Sequence, residues 1–139
     1  MYKLSLLLLI CVAVFAGCDK KDASDCPVIA CTEMFASIPF SFTDKDGIGV
    51  PVKNYSAVNL RTGESIESPN VAYLTIMAGT YIVADDSHLR SLSEEGDDIS
   101  ITGTYEATGQ TKSAIIKVSG GKCACHIQKI SGPDKIIFD

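Results

Sequence analysis

The chain has 139 residues, no tryptophan, 46% hydrophobic residues and a formal charge of −5 at pH 7. That length suits one domain of ordinary size with a core of its own. An acidic domain repels phosphate backbones, which argues against nucleic acid as a partner. Lys112, Lys117, Lys122, Lys129 and Lys135 are dispersed through the C-terminal third and form no basic block.

The chain opens with Lys3, an apolar run from Leu4 to Ala16, and the sequence Phe15-Ala16-Gly17-Cys18. The run is about 13 residues, short of the roughly 20 that a spanning helix needs. A positive start, a helical apolar stretch and small residues before a cut are the layout of a secretory signal. Phe15-Ala16-Gly17-Cys18 resembles the lipobox of bacterial lipoproteins, with Phe15 where an aliphatic residue is usual. The resemblance implies that residues 1–17 are removed and that Cys18 is acylated as the first mature residue. Losing Lys3 then takes the charge to −6. Cys11 follows Ile10, which is not small, and falls in the discarded segment. Each buried lipid methylene contributes about 0.8 kcal/mol, so two or more acyl chains hold a protein stably on a membrane. An ordinary signal peptide, cut elsewhere, is the rival reading.

Residues 18–33 read as a lipidated tether carrying the cysteine pair Cys26 and Cys31, and residues 34–139 as the folded domain. The charged stretch Asp19-Lys20-Lys21-Asp22 suits a solvated spacer. It also resembles the surface-export signal of Bacteroidota lipoproteins. An aspartate directly after the cysteine is similar to the inner-membrane retention signal of enterobacteria. The first resemblance implies a bacterial outer membrane, with the domain lipid-anchored and exposed at the cell surface; the periplasmic face is the alternative.

Ile38, Phe40 and Phe42 alternate with Pro39 and Ser41, predicting a strand with one buried face, at an edge or bulged at Pro39. Asp44-Lys45-Asp46-Gly47 predicts a turn. Val50 and Val52 resume the alternation, and Tyr55, Ala57 and Asn59 share a face. Arg61-Thr62-Gly63-Glu64 is the next turn. Val71 to Met77 reads as a strong strand, and Ala78-Gly79 breaks it before a strand from Thr80 to Ala84. Ser87 to Glu95 is the one helical segment, with Ser87 as cap, Leu89 and Leu92 three apart, and Gly96 as stop. Ile99–Glu106, Ser113–Val118 and Lys122–Ile130 read as strands joined by tight hairpins at Thr108-Gly109 and Gly120-Gly121. Ile136–Phe138 adds a short last strand. The sum is an all-β chain, an Ig-like or transthyretin-like β-sandwich of about seven strands with one short helix.

Cys26, Cys31, Cys123 and Cys125 are an even set in an exported chain, which favours disulfides. On a strand, Cys123 and Cys125 share a face nearly 7 Å apart, too far to pair with each other. Both bridges must then join the N-terminal pair to the C-terminal pair, as Cys26–Cys123 with Cys31–Cys125 or as the exchanged arrangement. The rival is a thiol or metal site made by the four thiols and His126. Strand alternation would turn His126 away from Cys125, and thiols in an oxidising compartment oxidise before they capture metal, so His126 is expected to be a satisfied surface or core histidine.

The run from Phe40 to Val52, with Thr43-Asp44-Lys45-Asp46-Gly47 and Gly49-Val50-Pro51-Val52, resembles the opening of carboxypeptidase-regulatory-like domains. Ala78-Gly79-Thr80-Tyr81-Ile82-Val83 is similar to a later strand of that family. The resemblance spans roughly Phe35 to Val83; the C-terminal part, with Cys123-Ala124-Cys125-His126, departs from it and looks more like the end of small Bacteroidota lipoproteins. It implies a transthyretin-like sandwich used as a structural or binding module, with no catalytic residues to carry over.

Asp44, Asp46 and Gly47 supply part of a calcium loop, but Ile48-Gly49-Val50-Pro51-Val52 lacks the remaining oxygen ligands, so turn chemistry is the expectation. Asp85-Asp86, Glu94-Glu95 and Asp97-Asp98 are paired acids, with Asp86 and Glu95 expected to cap, face solvent or contribute to a weak cation patch. No nucleophile elbow, zinc-protease motif or phosphate loop occurs. The sequence therefore predicts a non-enzymatic module with no cofactor or metal, whose partners are the membrane through Cys18 and an envelope protein. A glycan- or ligand-binding accessory lipoprotein of an uptake system is the second reading; it calls for an aromatic platform from Tyr55, Tyr73, Tyr81 or Tyr105.

Overall fold

The computed structural model describes residues 26, 27, 29–67 and 77–139. Cys18, the leader and nearly all of the expected strand at Val71–Met77 lie outside the described residues. Seven strands are present among the described residues: β1 (Ser37–Thr43), β2 (Val52–Asn59), β3 (Thr80–Asp85), β4 (Asp97–Tyr105), β5 (Thr111–Ser119), β6 (Gln128–Ser131) and β7 (Lys135–Ile137). They form a three-stranded sheet in the order β3-β1-β7 and a four-stranded sheet in the order β2-β4-β5-β6. The chain is all-β, as its alternating pattern predicts.

Period-two alternation explains the core. Ile38, Phe40 and Phe42 of β1 point inward, as do Ala57 of β2, Ile99 and Ile101 of β4, and Ile116 and Val118 of β5; all are buried. Val83, Ala84, Ile136 and Phe138 complete this layer. Phe42 sits at its centre, edge-on to Tyr55 and Tyr81 and stacked on Phe138. The register between β1 and β3 shifts between Ile38 and Pro39, which is the bulge that a residue without an N–H requires. β7 runs parallel to β1 but pairs only with Ser41–Thr43, so it stops short of Pro39.

The sandwich has two distinct ends. β1 starts at one end, where Ser37 pairs with Asp85, and finishes at the other, where Thr43 bridges Gly49. At the finishing end the chain turns through local devices. Asp44 Oδ1 accepts the N–H groups of Asp46 and Ile48 at 2.9 Å each, and Gly47 takes the left-handed conformation with φ 81°. Glu106–Gln110 closes β4 to β5, with Tyr105 N–H donating to Gln110 O at 2.9 Å. Gly79, at φ 77°, lies so close to Phe42 O and Val50 that a Cβ there would meet backbone at 2.4 Å. That contact explains why Ala78-Gly79-Thr80 needs glycine.

Two expectations fail at the starting end, for one reason. The helix expected over Ser87–Glu95 is a single 3-10 turn, Asp86–His88, followed by turns, and its cap is Asp85 rather than Ser87. The strand expected from Lys122 is confined to Gln128–Ser131, and Gly120-Gly121 does not make a tight hairpin. Gly120 and Gly121 instead lie against the 89–94 stretch, where Gly121 N–H donates to Leu89 O at 2.7 Å and Gly120 N–H to Ser93 O at 3.0 Å. A Cβ on Gly120 would meet Leu89 O at 2.6 Å. The Ser93 N–H, which a helix would send to Leu89 O, goes to Asp97 Oδ2. Each segment thus uses the other's backbone in place of its own regular ladder.

Candidate functional site

The starting end carries almost all of the distinctive chemistry among the described residues. Residues 120–127 form a loop between β5 and β6, and the N-terminal arm before β1 lies against it. Two disulfides join them, Cys26–Cys123 and Cys31–Cys125, with Cα–Cα distances of 5.1 and 5.3 Å. Both bridges cross from the N-terminal to the C-terminal pair, as expected, and the pairing left open is now fixed. The geometric premise changes, because Cys123 and Cys125 sit in the loop and not on a strand face.

His126 is a satisfied histidine, as expected, though it too sits in the loop and not on a strand. Freed from strand alternation, it turns toward the arm, with Nδ1 2.7 Å from Asp86 Oδ2 and Nε2 2.8 Å from Thr32 Oγ1. A carboxylate only accepts, so Nδ1 carries the proton given to Asp86. In the neutral ring Nε2 then accepts the Thr32 hydroxyl. Asp86 also accepts Ala36 N–H at 2.8 Å and Ile127 N–H at 2.9 Å. Burial pushes the Asp86 carboxyl up, but the hydrogen bonds from Ala36, His126 and Ile127 outweigh it and hold the group below the usual carboxylate range. One carboxylate thus ties together the arm, the 3-10 turn and the cysteine loop.

A hydroxyl, an imidazole and a carboxylate in this order also match the ordering of an acyl-transfer relay. Thr32 is exposed, however, and such relays act in water-excluded sites where fixed dipoles meet developing charge. The arrangement is suited to holding the arm in position.

A second network braces the same end. Asp97 is buried, and it accepts Asn59 Nδ2 at 2.7 Å, Arg61 Nε at 2.7 Å, Arg61 Nη2 at 2.8 Å and Ser93 Oγ at 2.7 Å. The Arg61 hydrogen bond is the main reason its carboxyl lies well below the usual range; Ser93 and Asn59 add to this against the cost of burial. This links the Arg61–Glu64 turn, β4 and the 89–96 segment. Asp85 is likewise buried and accepts Ser87 N–H at 2.9 Å, with His88 alongside.

The other sequence candidates fall elsewhere. Asp44 and Asp46 serve the turn and an exposed pair with Lys45. Tyr55, Tyr81 and Tyr105 pack against the core instead of forming an exposed platform, and Tyr73 lies outside the described residues. Tyr55 and Tyr81 stack at 4.5 Å, and burial, with Glu67 and Tyr81 nearby, pushes the Tyr55 phenol up. Among the described residues no three His, Cys, Asp or Glu side chains are grouped to hold a metal ion. Sequence reasoning missed Thr32 and the joining of Asp86 to His126. Those partners are 94 and 40 residues apart, and no local pattern marks them.

No protein-family model, curated protein or solved structure matches the chain.

Proposed function

We propose that the protein is a lipid-anchored, non-enzymatic module of a bacterial cell envelope. It is held through Cys18 on the outer membrane and supports or binds another envelope protein. The observation that carries this reading is the pairing of all four body cysteines into two long-range bridges, chemistry that suits an oxidising, exported location, downstream of a leader that ends in Phe15-Ala16-Gly17-Cys18. The resemblance of Phe40–Val52 and Ala78–Val83 to carboxypeptidase-regulatory-like domains supports a structural or binding use. With both bridges in place, the thiolates required by the rival thiol or metal reading are consumed.

The test is the intact mass of protein purified from native membranes, under denaturing, non-reducing conditions, with and without thiol alkylation. A lipid-sized increment on Cys18 with no alkylatable cysteine is the expected result. A chain without lipid removes the anchor. Alkylatable Cys26, Cys31, Cys123 and Cys125 overturn the disulfide argument and put the thiol or metal reading first.

A further inference from the structure

The arm displays apolar side chains that the described residues leave uncovered. Ile29 is 51% exposed, Met34 76% and Phe35 64%. They flank Cys31, whose bridge to Cys125 fixes the middle of this stretch, and Phe35 directly precedes Ala36, which is held to Asp86. These side chains are therefore presented from a braced segment, and immobilising them on a partner costs less entropy than it would on a free tail. Large exposed apolar groups gathered in one short, fixed segment suit a protein or membrane contact.

The opposite end also exposes apolar groups, Ile48 at 64% and Met77 at 65%. The tether proposed above is attached at only one of the two ends. Eight residues lead from Cys18 to Cys26, a span of at most about 28 Å when fully extended. Cys26 is locked to Cys123, so the arm end is the one tied next to the lipid surface. Ile48 lies past the far end of β1, roughly 20 Å further along a seven-residue strand.

We propose that Ile29, Met34 and Phe35 form a membrane-seating surface that rests in the bilayer interface. The sandwich then stands with its disulfide-bearing end down and the Ile48 end outward. This orientation rests on the lipid anchor proposed above. The partner is the lipid surface itself, and the attraction is apolar: the chain is acidic, and the arm presents Glu33 beside Met34.

The chain has no tryptophan, so a single introduced indole reports alone. The experiment uses the lipidated full chain in phosphatidylcholine vesicles, as Phe35→Trp and, separately, Ile48→Trp, with the lipid increment on Cys18 verified by mass in each sample. Both positions are exposed, so neither change disturbs the core. The expected result for Phe35→Trp is a blue-shifted indole emission that is quenched by lipids brominated near the headgroup. The emission of Ile48→Trp should be unshifted and unquenched. A lipid-bearing protein in which neither indole is quenched, or in which only the Ile48→Trp indole is, overturns the seating surface and leaves the anchor standing. Quenching of both indoles overturns the orientation. Absence of the lipid increment overturns the anchor reading itself, and the orientation falls with it.

Discussion

The two ends of the sandwich are built by different means. The end with Asp44–Gly47 and Glu106–Gln110 is closed mainly by turns whose partners lie within a few residues, joined by exposed hydrogen bonds of Gln110 and Lys112 with Asp139. The end with the arm is closed by two disulfides, by Asp86 and by Asp97, whose partners lie tens of residues away. A hairpin end secures itself one turn at a time. The crosslinked end makes three segments with little regular structure, the arm, the 86–96 stretch and the 120–127 loop, depend on one another.

The sharpest test of that contrast is removal of the bridges. Replacing all four body cysteines by serine should cost more than about 4–5 kcal/mol, since the first bridge alone closes nearly the whole domain. Losing either bridge alone should cost less, about 2 kcal/mol, because the other already closes the long loop and the second adds only a small ring. Denaturant unfolding of the two double-serine variants and the quadruple variant measures this; equal and additive losses would show that the bridges act independently.

Asp97→Ala should cost about 3 kcal/mol, because it strips the partners from buried Asn59 and from Arg61. Acid should find the same weakness. Asp86 and Asp97 have carboxyl pKa values lowered by folding, so the unfolded chain binds their protons more tightly. Their contribution is complete above the unfolded carboxylate value of about 4 and is lost as the pH falls through their lower folded values. The denaturant midpoint should hold steady from neutrality to about pH 5 and drop below about pH 4. The drop should be shallower in Asp97→Asn.

His126→Ala should cost about 1.5 kcal/mol by taking one of three donors from Asp86 and releasing Thr32. Its clearer readout is hydrogen exchange, with faster exchange at Ala36 and Ile127 and little change in β4 and β5. The smallest effect belongs to the turn end: Asp44→Ala removes two hydrogen bonds to backbone and should cost about 1 kcal/mol, with its exchange effect confined to the Asp46–Gly49 turn. A loss at Asp44 larger than that at Asp97 would reverse the comparison.

The same division explains what is legible in the sequence. Period-two alternation places Phe40, Phe42, Ile99, Ile101 and Ile116 inward because a strand's face is a local property. The Pro39 bulge and the Asp44–Gly47 turn follow from single residues. The Ser87–Glu95 segment is no helix and Gly120-Gly121 no hairpin because their backbone groups bond to each other across the fold, and local propensity is blind to that competition. The cysteine pairs are legible as crosslinks joining the chain's two ends. Their individual partners, and the linkage of Thr32, His126 and Asp86, depend on a loop whose path no local pattern sets.

The Cys26–Cys123 bridge also decides how the protein bears load. A chain pulled from its N-terminus ordinarily peels its first strand, one hydrogen-bonded pair at a time. Here tension applied on the N-terminal side of Cys26 reaches its sulfur before it reaches Ser37, and passes across to the loop beyond β5. β1, which carries Phe40 and Phe42 and sits in the middle of its sheet, is shielded from unzipping. A domain wired in this way can be pulled from its N-terminal side while β1 keeps its place in the core.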